Sequence, residues 1–292
     1  MKNKIYFFDY INYCLVGLIA LLTLYPFLNV FAVSFSNETE ILNNPLMIWP
    51  SSWNPGAYES TLAKPELWSS YANTIFITAV TTGLAVLIYL LTAYVLSRKE
   101  LRGKGGIMTF FIIPMMFGGG LIPTFYMVKL LGLYNSVWAM VFTALFSTYN
   151  MTLMKNFMES IPNSLVEAAR IDGASETFIL FKIIAPLSKA IIATVGMFVA
   201  VGQWNAYASN LYYVNDRNKW GLALFLREVI MGASIQKKAT GAGDDVGELE
   251  EAIQPINFQY ASLIITVAPV LLAYPFIQKY FVKGMMVGSV KE

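Results

Sequence analysis

The chain has 292 residues, 57% of them hydrophobic, 15% aromatic and only 13% charged. Soluble domains average about 25% charged residues, so this chain cannot coat a water-soluble body of its size, and its hydrophobicity excludes intrinsic disorder. A net charge of +2 excludes a nucleic-acid partner, the lone Cys14 excludes a disulfide framework, and the absence of histidine removes the commonest general base and metal ligand.

Charge-free stretches locate the membrane spans. Residues 10–37, 67–97, 105–128, 130–154, 190–215 and 252–278 contain no Asp, Glu, Lys or Arg. These stretches predict six helices over about 12–34, 72–96, 107–128, 136–155, 189–210 and 259–280, each near the length of roughly 20 residues that crosses a bilayer core. The fold class is therefore all-α integral membrane. Lys2 and Lys4 ahead of the first run resemble a secretory signal, but the apolar stretch is longer than a signal core of about 7–15 residues, and a retained span is expected.

Orientation follows from the basic residues. With the N-terminus in the cytoplasm, 13 of the 20 lysines and arginines fall inside and 7 outside. The compact run Arg98-Lys99-Glu100-Leu101-Arg102-Gly103-Lys104 lies directly between two spans, where the rule is strongest. Both termini are expected inside.

Three connections exceed a turn. The outer segment 36–70 carries Trp49-Pro50-Ser51-Ser52-Trp53-Asn54-Pro55, which suits the headgroup level or, alternatively, a partner contact. In the third span, Gly118-Gly119-Gly120 between Pro114 and Pro123 predicts either a broken or loosely wound helix, which membranes accept only where protein or a cavity covers it, or simply close packing. A second outer segment, 211–258, contains Thr240-Gly241-Ala242-Gly243-Asp244-Asp245 and an acidic run through Glu251. The inner segment 156–187 is the most informative. Ser164 and Glu167 have the spacing of a capping box, and Pro162 precedes them where a helix start tolerates proline. Leu165, Ala168 and Ala169 form a small apolar face, Gly173 ends the helix, and Ser175 caps a second helix that Pro186 breaks. The result is a two-helix hairpin turning at Asp172-Gly173, with small residues that let another protein approach closely. Local chemistry equally allows an amphipathic hairpin lying on the membrane surface.

Glu167-Ala168-Ala169, Gly173, Ile183 and Pro186 match the spacing of the EAA loop of bacterial ATP-binding-cassette importer permeases, with Ala185 in the usual leucine position. The chain resembles the carbohydrate-uptake class of that family, in particular the smaller permease of the maltose type. Leu131-Gly132-Leu133-Tyr134-Asn135-Ser136 is similar to the outer turn of that class, while residues 114–124 and 274–284 look closer to permeases for aldouronate, alginate and pectin-derived oligosaccharides. The resemblance implies a type I importer permease fold: an N-terminal segment over 1–71, a permease domain over 72–282 and a cytoplasmic tail over 283–292.

It further implies a bacterial cytoplasmic membrane location and partners: a second permease chain, two cytoplasmic ATPases, an extracytoplasmic solute-binding protein and an oligosaccharide. Glu167, Ala168, Ala169, Asp172, Gly173, Ile183 and Pro186 would couple to the ATPase, and residues 284–292 would reach between the two ATPases. The sequence has no Gly-x-x-x-x-Gly-Lys-Ser/Thr loop, so ATP and Mg would be handled by the partners, with no cofactor or metal held directly and no catalytic residue in this chain.

A sugar path wants amides and aromatic rings. Gln203, Tyr207 and Asn210 at i, i+4, i+7, with Trp204 and Asn205 beside them, are the candidates in the fifth span, and Thr143, Ser147 and Asn150 repeat the spacing in the fourth. Interhelical hydrogen bonding is the competing explanation of both stripes. An ion-coupled carrier is the rival within transport, but the six cores hold no acidic residue, arginine or histidine for an ion site. A membrane enzyme would need a nucleophile with a base or paired carboxylates, and the acidic clusters lie in the loops.

Overall fold

The computed structural model describes the backbone of residues 7–239 and 255–289, and side chains within 8–231 and 255–275. The expected contributions of the acidic run 244–251, of Lys279 and Lys283, and of the tail side chains fall outside the described residues. Among the described residues the secondary structure is entirely helical. The elements are α1 (Phe7–Phe35), α2 (Glu38–Asn43), α3 (Gly56–Leu62), α4 (Pro65–Ser97), α5 (Lys104–Met116), α6 (Leu121–Leu130) and α7 (Val137–Thr143). They continue with α8 (Thr148–Glu159), α9 (Asn163–Ile171), α10 (Glu176–Leu187), α11 (Lys189–Trp204), α12 (Ala208–Tyr213), α13 (Leu222–Ala239) and α14 (Ile256–Ser289).

All six predicted spans are helical, but in two different ways. α1, α4 and α14 are each long and apolar enough to cross a membrane alone. Two others are bent pairs, α5 and α6 meeting at 112° and α7 and α8 at 48°, and the fifth predicted span falls on α11 and the start of α12, with α11 also meeting the hairpin arm α10 at 82°. The first break falls at the expected glycines. Gly120 has φ 79°, and a Cβ there or at Gly118 would meet nothing within 4 Å, so the break is not a close-packing device within this chain. The other breaks have local causes. Ser147 caps α8 by accepting from the Asn150 backbone N–H, which starts a new helix where a continuous one was expected. Between α11 and α12 the chain leaves the helix at Asn205 to Tyr207. Thr143, Ser147 and Asn150 therefore do not form one helical stripe, and neither do Gln203, Tyr207 and Asn210. In addition, α13 occupies part of an outer segment where no helix was expected.

Contacts divide the chain into two units, residues 1–67 with 226–268, and residues 68–225 with 269–292. In the first unit α1 exposes apolar side chains along its length, including Phe8, Leu21 and Phe27. The segment after it folds back: Asn29 Nδ2 donates to the carbonyls of Pro45 and Met47, and Phe31, Phe35, Trp49, Trp53 and Tyr58 stack in a ring cluster.

In the second unit the core joins α4, α8, α9, α10 and α11 through Tyr89, Ala93, Tyr94, Met151, Met154, Val166, Ile179, Ile184 and Val195. α11 meets α4 at Gly196, where a Cβ would make ordinary contact with Val86 Cγ2 at 3.4 Å. The two ends of this unit are held by different chemistry. At one end, mainly neutral side chains clasp the backbone, with Lys219 beside them donating to the Asn135 carbonyl at 3.0 Å and pairing with Asp216 at 3.4 Å. Asn135 Oδ1 accepts from the N–H groups of Asn215 and Asp216, Asn73 Nδ2 donates to the carbonyls of Asn218 and Trp220, and Thr74 Oγ1 accepts from Leu222 N–H. Asn135 adopts φ 59° and Gly132 φ 68° in the turn between α6 and α7. At the other end the run 98–104, the C-terminus of α8 and the α9–α10 hairpin meet through charged groups.

Replacing Asn135 with alanine removes a side-chain acceptor shared by two N–H groups and puts a Cβ-bearing residue without a local hydrogen bond in the left-handed region. We expect a loss of about 2–4 kcal/mol, read as a lower unfolding temperature of the solubilised protein. Asn135→Gly, which relieves the backbone but not the lost bonds, is expected to lose less.

Candidate functional site

The α9–α10 hairpin is built from its turn outward. α9 ends in a Schellman arrangement: Gly173 N–H donates to the Arg170 carbonyl at 3.0 Å and Ala174 N–H to the Ala169 carbonyl at 2.9 Å. That geometry needs the left-handed φ of 81° at Gly173. Ser175 then caps α10 by accepting from Phe178 N–H at 3.3 Å, as its position predicts. The start of α9 differs from expectation. Its N-cap is Pro162, no side chain caps it, and Glu167 instead accepts from Asn163 Nδ2 at 2.7 Å along the helix face, so no capping box forms. The far end differs too. Pro186 does not break α10, because residues 179–184 widen into a π-helix and the chain bends after Leu187 at the buried Ser188.

The hairpin has two faces. Inward, Val166 and Ala169 of α9 and Ile179, Leu180 and Ile184 of α10 join the core, with Ile183 half-buried against it. Outward, Leu165, Glu167, Ala168, Asp172 and Gly173 are exposed, as is Pro186, and Ile171 next to the turn is 86% exposed. Of the two alanines expected to make room for a partner, Ala168 faces out and Ala169 faces in.

Charged groups root the hairpin. Glu176 accepts from the Tyr94 hydroxyl of α4 through one oxygen and from Arg170 Nε of α9 at 2.7 Å through the other. The Tyr94 hydroxyl, followed by the Arg170 guanidinium, holds the Glu176 carboxyl below its ordinary range, and Glu176 in turn raises Arg170. Arg170 also reaches Glu100 at 3.9 Å, and Arg98 lies over the Tyr94 ring at 4.1 Å. Beside this group, Glu159 at the end of α8 pairs with Lys104 at 2.6 Å and Lys155 at 2.8 Å. Sequence reasoning used Arg98 to Lys104 for orientation alone and missed Glu176, Tyr94 and Glu159. The signal available was weak: Arg170 and Glu176 are six apart across a glycine turn.

The expected path residues separate. Asn210 is 3% exposed, accepts from Gly221 N–H at 2.7 Å and donates to the Ala206 carbonyl at 2.9 Å, so its amide is engaged at both ends. Gln203 is buried and donates to the Met140 carbonyl at 3.4 Å. Asn150 and Trp204 are half-buried. Asn205 and Tyr207, at the α11–α12 break, are exposed, and Asn205 Nδ2 donates to the Val201 carbonyl. Among the described residues no three His, Cys, Asp or Glu side chains are grouped to hold a metal ion.

A helical membrane body with broken spans and a capped hairpin standing off its core is the architecture of a transporter permease. Residues 67–287 match the family described as binding-protein-dependent transport system inner membrane component, and the chain belongs to that family. It is 36% identical over 293 residues, covering 100% of both chains, to the polygalacturonan/rhamnogalacturonan transport system permease protein YtcP of Bacillus subtilis (strain 168). It is 29% identical over 303 residues to the galactooligosaccharides transport system permease protein GanQ of the same organism, covering 100% of this chain and 98% of that one. A solved structure, a bacterial ABC transporter involved in the import of the acidic polysaccharide alginate, superposes with a TM-score of 0.81 at 29% identity, covering 94% of this chain and 96% of that one. The protein is an integral membrane permease of an ABC importer, a transport subunit and not an enzyme, and it works with an ATPase and a solute-binding protein.

Gly173 offers a graded test of the hairpin turn. A Cβ at Gly173 meets nothing within 4 Å, so Gly173→Ala is expected to cost only the left-handed backbone, about 1–2 kcal/mol. Gly173→Pro also fixes φ near −65° and removes the N–H bonded to Arg170. Reconstituted uptake should fall modestly in the first variant and be abolished in the second, with membrane insertion preserved in both.

Proposed function

We propose that this chain is one of two permease subunits of an ATP-driven importer that carries oligosaccharides from polysaccharide breakdown into a bacterial cell. The observation that carries the reading is the hairpin itself: its inner face is locked into the helical core, while Leu165, Glu167, Ala168 and Ile171 remain outward. Such a knob suits the groove of a separate motor subunit. Glu167 meets a basic residue there, Ala168 allows close approach, and Ala169 and Ile183 brace the knob from behind. Gly173 and Asp172 set the bend, and Pro186 lies on the second arm. ATP and Mg belong to two such motors, and their closure favours one of two arrangements of the spans.

Acidic oligosaccharides of the pectin or alginate kind are the substrate class, on the strength of the relatives named above. The membrane is the cytoplasmic membrane, with both termini and the hairpin inside. This orientation is supported by the way residues 98–104, 155–159 and 163–189 gather at one end of the second unit while Asn73, Asn135 and Trp220 gather at the other. Residues 1–71, 72–282 and 283–292 serve as lead segment, permease body and tail. Within the path, Asn205 and Tyr207 face the solute, with Trp204 and Asn150 beside them, and Gln203 and Asn210 hold the helices in place.

Two measurements test this. In proteoliposomes containing both permease chains, the ATPases and the binding protein, ATP should drive uptake of oligogalacturonides; failure to take up any oligosaccharide would refute the assignment. Asn205→Ala should lower uptake several-fold without changing the unfolding temperature. Asn210→Ala leaves the Gly221 N–H unpaired in a buried site and should destabilise by about 1–3 kcal/mol, read as a lower unfolding temperature.

A further inference from the structure

Glu176 opens the second arm of the hairpin, with its side chain 54% exposed, and lies outside every set of residues assigned above to docking. Its carboxylate joins three elements. One oxygen accepts from Tyr94, the other from Arg170 at 2.7 Å, and Glu176 itself opens α10. Tyr94 is 6% exposed, one turn from the end of α4. Arg98 covers its ring, and Arg170 turns its free edge toward Glu100. Arg98 and Arg170 balance Glu100 and Glu176, so the cluster is electrically neutral.

The remaining attachment of the hairpin to α4 and α8 is apolar: Val166, Ala169, Ile179, Leu180 and Ile184 against Tyr89, Ala93, Met151 and Met154. Apolar contact is non-directional, so it sets the register of the hairpin less sharply than a directed bond does. A charge-assisted hydrogen bond is short and directional, and two of them on one carboxylate fix a register. We propose that Glu176 is a positioning residue that locks the hairpin in register on the end of α4, so that a displacement imposed on the hairpin is delivered to α4 and to the 98–104 corner leading into α5. The adjacent bridge from Lys104 of α5 to Glu159 of α8 extends the same rigid corner. Without the lock the hairpin remains docked and moves, but it slips along α4 and the spans follow incompletely.

This inference rests on the reading of the hairpin as the motor's docking element, and the experiment separates the two. The complete transporter, with both permease chains, ATPases and binding protein, is purified and reconstituted as wild type, Glu176→Ala, Glu176→Gln and Tyr94→Phe. For each, ATPase retention, ATP hydrolysis stimulated by the loaded binding protein, and solute taken up per ATP are measured. The expected result is unchanged ATPase retention, hydrolysis within about two-fold of wild type, and uptake per ATP lowered about ten-fold in Glu176→Ala. Glu176→Gln and Tyr94→Phe should each show a smaller loss of the same kind, and combining Tyr94→Phe with Glu176→Ala should lower the ratio no further than Glu176→Ala alone. A merely structural role would lower hydrolysis and uptake together and leave their ratio intact, and that result overturns the proposal. Unchanged uptake per ATP in both Glu176→Ala and Tyr94→Phe overturns it as well. Loss of the ATPase from Glu176→Ala places the residue in the docking surface and likewise overturns it. The docking reading fails separately, if Gly173→Pro retains both the ATPase and full uptake.

Discussion

Burial of the inner face of the hairpin is the interaction on which the second unit depends. Val166 and Ala169, three residues apart on α9, and Ile179, Leu180 and Ile184 on α10 close one core with α4, α8 and α11. α9 has nine residues, and an isolated helix of that length is marginal in water. Its persistence as a defined knob comes from that packing, from the Schellman turn at Gly173 and from the cap at Ser175. The outward face is then free to be chosen for another protein, since it contributes nothing to the core. This division explains why the two neighbouring alanines have opposite surroundings: consecutive helical positions lie about 100° apart, so one turns to the core and the other to the outside.

The spans were legible because lipid imposes a blunt rule. Charged residues are expensive in the bilayer, so 67–97 stands out by composition alone. The breaks were less legible because they depend on individual hydrogen bonds that composition does not show. Gly118 to Gly120 announced one break through its own chemistry. The break before α8 turns on a serine that accepts from its own helix start, and the one after α11 on amides paired across the fold, as Asn210 is with Gly221. A polar stripe at i, i+4, i+7 is a helical argument, and it loses force once the helix is interrupted. Asn210 and Gln203 show the consequence, since both carry amides suited to a sugar and both spend them on backbone partners.

In the hairpin, spacing located the turn and the second cap but misjudged the two ends. Ser164 lies inside α9, not ahead of it, because Pro162 supplies the N-cap position with its extended ψ of 128°. Glu167 therefore has no cap to complete and bonds to Asn163 one turn back. Pro186 removes an N–H in the last turn of α10, which follows the π-wound stretch and runs one residue past the proline, to Leu187, before the 82° bend. In both cases the residue type was read correctly and its neighbours decided the outcome.

The charges in 98–104 carry a second meaning that composition could not reveal. In the sequence they act as a topogenic signal, which requires only that they be basic and close to a span. In the fold, Lys104 is paired with Glu159, Arg98 covers Tyr94, and Glu100 meets Arg170. The two ends of the unit thus differ in balance, although Lys219 reaches the Asn135 carbonyl at the first as well. Asn73, Thr74, Asn135 and Asn210 clasp backbone groups at one end with short, neutral side chains that have few rotamers to exchange. At the other, ionic side chains meet at partly exposed sites, where each pair adds little to stability but directs the contact it makes. Under the proposed docking, these directed contacts lie where the hairpin meets α4, while the neutral clasps hold the opposite end of the same helices.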